Sequence, residues 1–148
     1  MPARPPKVAL MTTPDETEAQ FYEALQRGDL DRVMAVWADD DDIACIHPSG
    51  PRLLGLHAIR AGYESLLEGG GLNLRIAQVR RLVVGNSAVH HVLEELRVET
   101  PEGTQSAWVL ATHVFVKTPQ GWRLLVHHAS PGSEGAVQEV GDEPSMLH

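Results

Sequence analysis

Eight histidines stand out as the chemically informative excess in this 148-residue chain: His47, His57, His90, His91, His113, His127, His128 and His148. Imidazole titrates near neutrality and can serve as acid, base or metal ligand. Two of the eight are adjacent, in "LLVHHASP" at 124–131. On a β-strand, neighbouring side chains point to opposite faces, so His127 and His128 must occupy different environments.

Strand parity assigns the two. The run from Gln105 to Lys117 and the run from Trp122 to Ser130 flank a turn at Thr118-Pro119-Gln120-Gly121. An even-numbered loop sets Lys117 opposite Trp122. His113, Phe115, Leu124, Val126 and His128 then share one face, and Thr112, Val114, Arg123, Leu125 and His127 share the other. The first face carries the aromatic rings and no charge except Lys117 at its rim, so it is predicted to be the interior. His128 is expected to point inward and His127 outward. His47 ends the apolar run that starts at Ile43, just before Pro48, where it could reach toward His128 or Tyr63. His128 and His47 are the candidate catalytic residues, as general acid or base. Trp37, Tyr63, His113 and Phe115 are the candidate walls of a ligand pocket.

Other chemistry is weaker. His47, His113 and His128 come from three different strands, and no local ligand motif links them, so no metal is expected. Glu94 reads as a salt-linked surface carboxylate ahead of a pocket group. Cys45, the single cysteine, reads as a small buried hydrophobe and allows no internal disulfide. In the preceding hairpin Arg81 falls near His90 and Arg80 near His91, but both faces mix polar and apolar groups, which leaves the inner one open. Trp108 has the parity of His127 and is expected on the outer face, where a second copy would bury it.

The elements that must position these groups are marked along the chain. Thr13-Pro14-Asp15-Glu16 is a capping box with proline at the first helical position. It predicts a helix to about Gln26 that buries Phe21, Ala24 and Leu25 and stops at Gly28. Asp29 caps a second, short helix with Val33, Val36 and Trp37 at helical spacing. The acidic run 39–42 reads as a solvated turn. Ile43–His47 is a short strand, Arg52-Leu53-Leu54 a brief extended piece, and Gly55 opens a helix with a stripe of Ile59, Tyr63, Leu66 and Leu67. From Leu72 the period changes to two. Four long strands follow, with turns at Gly85-Asn86, Pro101-Glu102-Gly103 and 118–121. Helices followed by an antiparallel meander predict an α+β fold, with the N-terminal helices on the concave face of a curved, cone-shaped sheet.

Composition sets the outer bounds. Hydrophobic residues at 43% and charged residues at 22% describe a globular chain of one domain. The formal net charge of −8 argues against nucleic acid as a partner. No stretch approaches a membrane span or the core of a signal peptide, so a cytoplasmic location is expected. Residues 1–12 read as a flexible arm, 13–131 as the domain and 132–148 as a disordered acidic tail.

From 14 to 131 the chain resembles the nuclear transport factor 2-like superfamily, in its SnoaL-like and ketosteroid-isomerase-like branch. The resemblance rests on Ala24, Gly28-Asp29, Trp37, His47-Pro48, Gly55 with Ala58-Ile59, and Gly121-Trp122 with His128 and Ser130. The closing run is also similar to the association domain of calcium/calmodulin-dependent kinases. The resemblance implies a cystatin-like α+β cone with a deep pocket and a homodimer packed through the outer face of the sheet. It supplies no match to the Asp, Tyr and Asp trio of ketosteroid isomerases. Two functions are expected from it: a non-catalytic binding or assembly domain for a small organic molecule, slightly favoured, and a cofactor-independent isomerase, cyclase or dehydratase. Neither calls for a cofactor.

Overall fold

The computed structural model describes residues 11–134 and 139–142. Helix α1 (Pro14–Arg27) begins as its capping box requires: the Thr13 hydroxyl accepts from the Glu16 N–H. It ends where Gly28 adopts a left-handed conformation and donates back to Ala24 and Leu25. Helix α2 (Leu30–Ala35) is capped by Asp29, whose side chain accepts from the Arg32 N–H. Strands β1 (Ala44–Ile46) and β2 (Arg52–Leu54) form a small hairpin, and helix α3 (Gly55–Leu66) follows directly. Ile59 and Tyr63 of α3 and Leu67 just beyond it are buried, whereas Leu66 turns outward. The meander is β3 (Leu74–Val84), β4 (Ser87–Thr100), β5 (Gly103–Thr118) and β6 (Gly121–Pro131).

These strands make one curved, unclosed sheet in the order β2-β1-β6-β5-β4-β3. The α+β expectation holds, with one addition: β1 runs parallel to β6, so the sheet is mixed. Parallel pairing between elements some eighty positions apart leaves no local signature, unlike the hairpins. Trp37 continues the sheet beyond β1 as a parallel bridge to Leu124.

The helices pack on the concave face. Thr17 donates to the Trp122 carbonyl at 2.9 Å, and Gln26 Nε2 donates to the Leu74 carbonyl at 2.8 Å, so α1 spans the sheet from β6 to β3. Its C-terminus is clamped by the chain leaving α3. Leu72 N–H donates to the Leu25 carbonyl at 2.9 Å. A side chain on Gly71 would put its Cβ 2.0 Å from the Gln26 carbonyl oxygen, so only glycine permits this approach. Met11, expected in the flexible arm, is instead buried, and its carbonyl accepts from Trp122 N–H at 2.8 Å. Thr12, also expected in the arm, donates its hydroxyl to Glu16 at 2.7 Å; residues 1–10 and most of the tail lie outside the described residues.

Two irregularities matter for function. The β3–β4 ladder shifts between Ile76 and Gln78, and the β5–β6 ladder shifts at Val114 and Phe115, where Val126 and Leu124 are the partners. Leu125 is therefore an extra residue, and a bulge of this kind reverses the parity of everything after it. Gly71→Ala is expected to lower the urea midpoint by an amount equivalent to about 1–3 kcal/mol, as a close backbone contact forces apart α1 and the α3–β3 connection.

Candidate functional site

The bulge at Leu125 overturns the expected roles of the two adjacent histidines. His127 pairs with His113 and faces inward, 5% exposed; His128 pairs with Thr112 and lies exposed on the outer face. The interior assignment of His113, Phe115, Trp122 and Leu124 holds, because it involves β5 or the part of β6 before the bulge. Val126, expected inside, pairs with Val114 on the outer side. His128 thus cannot act within the cone. The resemblance that marked it carried no information about its direction.

Inside, one transverse row crosses the sheet from strand to strand. Cys45 neighbours His127, His127 neighbours His113, His113 neighbours His90, and His90 neighbours Arg81. Apart from Cys45, the row consists of basic side chains. Helix α1 answers it with Asp15, Glu18 and Tyr22, one stripe at helical spacing. Glu18 Oε2 lies 2.8 Å from His90 Nδ1 and 2.9 Å from His113 Nδ1. A carboxylate only accepts, so both rings present Nδ1–H to the same oxygen. Asp15 pairs with Arg81 at 3.0 Å and lies 3.6 Å from His90 Nε2. Burial pushes the Glu18 carboxyl up, but the hydrogen bonds and charge of His113 and His90 overcome it and hold the carboxyl at about 2.

The row extends toward a second carboxyl. The Tyr22 hydroxyl donates to Glu94 Oε2 at 2.6 Å and stands 3.5 Å from His113 Nε2. Glu94 is buried, not a surface group as expected. Burial raises its pKa, and the Tyr22 hydrogen bond offsets only part of that. The Tyr22 phenol is pushed well up, first by burial and then by the Glu94 charge. Glu18, His113, Tyr22 and Glu94 therefore form a continuous polar path in an otherwise apolar interior.

The other end of the row is lined differently. Tyr63, Trp37 and Phe21 are buried, and His47 is half-buried, its ring centroid 5.0 Å from that of Tyr63 and 6.1 Å from that of His127. Trp37, Tyr63, His113, Phe115 and His47 are thus brought into one interior. Cys45 Sγ lies 3.5 Å from the Tyr63 hydroxyl and 3.6 Å from His47 Nε2, with its thiol pushed up to about 11 by burial. Burial likewise lowers the His47 pKa. It lowers His127 much further, helped by the neighbouring imidazoles, so His127 is a neutral ring. Among the described residues three buried polar atoms have no hydrogen-bond partner: Trp37 Nε1 and His127 Nδ1 at this end, and His90 Nε2 on the row beside Asp15. Among the described residues no cluster of His, Cys, Asp or Glu has the arrangement of a metal site.

Sequence reading missed Glu18, Tyr22, His90 and His127. A signal for the first two was present, since Glu18 and Tyr22 lie on the same helical stripe as Phe21 and Leu25, and an acid on a buried stripe needs a partner. The bulge had none.

A family model described as the SnoaL-like domain matches residues 15–134. The chain belongs to the SnoaL-like family. No curated protein matches it. Among solved structures, this SnoaL-like chain is similar to a candidate calcium/calmodulin-dependent protein kinase type II association domain from Thiobacillus denitrificans. The two are 34% identical with a TM-score of 0.76, over 85% of this chain and 100% of that one. A candidate dehydratase of the NTF2-like family from Streptomyces avermitilis is 28% identical with a TM-score of 0.71, over 79% of this chain and 92% of that one. The CaMKII hub of S. rosetta shares the fold at 19% identity and a TM-score of 0.64, over 79% of this chain and 92% of that one. Among the described residues no helix is long and apolar enough to cross a membrane.

Glu18→Gln is expected to destabilise the protein by about 3 kcal/mol at pH 7, because two buried rings lose a charged acceptor. A carboxyl with a depressed folded-state pKa stabilises above its unfolded value and loses that contribution as pH falls toward the folded value. The gap in unfolding free energy between Glu18→Gln and the parent should therefore narrow from about pH 5 downward toward about pH 2, the folded-state value. Urea unfolding at pH 7, 5 and 3 measures it. A gap independent of pH would mean that Glu18 is not ionised in the folded state.

Proposed function

We propose that this SnoaL-like domain binds a small organic molecule at the Trp37, His47, Tyr63 and His127 end of the cone, without a cofactor. The observation that carries the reading is the pair of unpartnered buried atoms, Trp37 Nε1 and His127 Nδ1. Buried polar atoms in folded proteins are nearly always satisfied, and each that is not costs roughly 1–3 kcal/mol. The indole N–H can only donate; the neutral imidazole nitrogen can donate or accept according to its tautomer. A molecule with a carbonyl or hydroxyl oxygen beside an apolar body supplies both partners while resting on Phe21 and Tyr63. His47, half-buried, stands on the approach.

A binding role fits this end of the interior better than catalysis. The acid–base groups Glu94, Tyr22, His113 and Glu18 are satisfied by one another, whereas the unpartnered atoms are neutral. The alternative, a cofactor-independent isomerase, cyclase or dehydratase, would use His47 at the approach together with the Tyr22–Glu94 pair. His128, on the outer face, has no part in it.

A thermal-shift screen of small carbonyl and hydroxyl compounds tests the binding reading. Trp37→Phe and His127→Phe remove the unpartnered atoms; the second nearly keeps the ring volume, and the first also removes one ring of the indole. Each is expected to abolish the shift given by a hit; His127→Phe should leave the melting temperature of the free protein unchanged or higher, whereas Trp37→Phe should lower it through the lost ring. Hits that survive both substitutions would place the ligand elsewhere.

The assembly part of the reading is a homodimer through the outer sheet face. Its support is the 34% identical relative, a candidate association domain, and the presence of Trp108 on that face opposite Glu95. Trp108→Glu is expected to sediment as a monomer. A variant that still sediments as a dimer would exclude this face.

A further inference from the structure

The outer face of the sheet carries two adjacent rows of opposite character. In the first, Leu82, Val89, Val114, Val126, Ala44 and Leu54 are neighbours from β3 across to β2, an apolar row the full width of the sheet. Its ends are open, Leu82 at 58% and Leu54 at 55% exposed, and the four residues between them are half-buried. The second runs Arg80, His91, Thr112, His128, Ile46 and Arg52 across the same strands. Arg80, His91, His128 and Arg52 are exposed, and among the described residues their side chains make no hydrogen bond or ion pair.

The order of rows along β5 decides what a partner must cover. Trp108, Leu110, Thr112 and Val114 follow one another on this face at the strand period of two. The histidine row therefore lies between Trp108 and the apolar row. A second copy that covers both Trp108 and Val114 also covers His91 and His128. A two-fold interface presents each row twice, so four imidazoles and four guanidinium groups enter it together. Neutral imidazoles are covered at small cost. A protonated His91 stands on the strand next to Arg80, about 4.8 Å away, and a protonated His128 lies two strands, roughly 10 Å, from His91 and from Arg52. Like charges set across strands repel, and the repulsion grows as water is excluded.

The remaining charged groups on this side do not offset it. Glu95, two rows away, is already paired with Arg75 and accepts from Ser106. Glu139 borders Arg80, His91 and His128 but is itself exposed, and Val140 beside it is 84% exposed, so this segment leaves the face free for a partner. Arg123, on the far side of the apolar row, adds positive charge; its guanidinium donates to the Trp122 carbonyl. The helices lie on the opposite face and bring no acid to these rings.

We infer that the outer face is an acid-sensitive interface, in which proton uptake at His91 and His128 drives two copies apart. The inference rests on the homodimer reading above and is independent of the ligand in the cone. The sign follows from linkage. Rings covered in a positively charged row hold protons less well than the same rings in the free monomer. Association is therefore strongest above the ordinary imidazole range and is lost as pH falls through it.

Sedimentation equilibrium of the full chain at about pH 8 and about pH 6, at constant ionic strength, tests it. The dissociation constant is expected to rise at least about tenfold at the lower pH, from like-charge contacts at four rings. The double variant His91→Gln with His128→Gln should dimerise at both pH values with constants that agree within about twofold, since neither side chain can gain a charge. It shares any other effect of acid on the fold, so the difference from the parent reads the two rings alone. His57→Gln, on exposed α3, should keep the parent's dependence. A parent that dimerises equally at both pH values, or a double variant that keeps the dependence, would overturn the inference and leave the homodimer standing. A double variant that is monomeric at the higher pH would overturn it too, since the rings would then serve the interface by something other than charge. A parent that is monomeric at the higher pH would overturn the homodimer reading and the inference with it.

Discussion

One carboxylate oxygen ties together a helix and two central strands. Glu18 Oε2 accepts from His90 on β4 and from His113 on β5, and Glu18 is fixed in turn by the helix that carries it. Burying a charge is costly unless every partner is in place. Here the partners come from elements roughly seventy to ninety-five residues apart, so the bridge forms only when helix and sheet meet in one register. Phe21 packs its ring edge against His113, and Tyr22 reaches Glu94, from the same helix. The polar row and the apolar core therefore specify the same docking of α1, and a slip of the helix by one turn would leave Glu18 and both rings unpaired.

Much of this architecture could be read from the residues. The capping box at Thr13, the stop at Gly28, the cap at Asp29 and the turn at Gly85-Asn86 are local signals, and each lies where the residues put it. Hairpin parity also paired Arg81 with His90 and Arg80 with His91. What could not be read is non-local. The parallel pairing of β1 with β6 depends on where the sheet curls. The extra residue at Leu125 has no glycine or proline to mark it, yet it exchanges the environments of His127 and His128. The buried setting of Glu94 follows from Tyr22 lying above it, a contact across seventy-two positions. Parity is reliable only between irregularities, and a single bulge separates a correct assignment at His113 from an incorrect one at His128.

The two faces of the sheet spend similar residues on different ends. Within, His127 is held neutral and His90 and His113 are bridged to an acid, beside two unpartnered atoms, Trp37 Nε1 and His127 Nδ1. Outside, an arginine and two histidines in the same transverse order remain unpaired beside open space. Their alternation along each strand makes both rows from the same sequence segments, His90-His91 and His127-His128, so each doublet supplies one residue to each face. The adjacent histidines are thus two half-rows rather than one motif.

Nitrogen-resolved NMR of the histidine rings across a pH titration tests this arrangement most directly. His127, buried beside other imidazoles, is predicted to stay neutral well below the ordinary imidazole midpoint, and His90 and His113 to keep a proton on Nδ1 facing Glu18. A His127 ring that titrates like a solvent-exposed imidazole, or a His113 ring without a proton on Nδ1, would contradict the account.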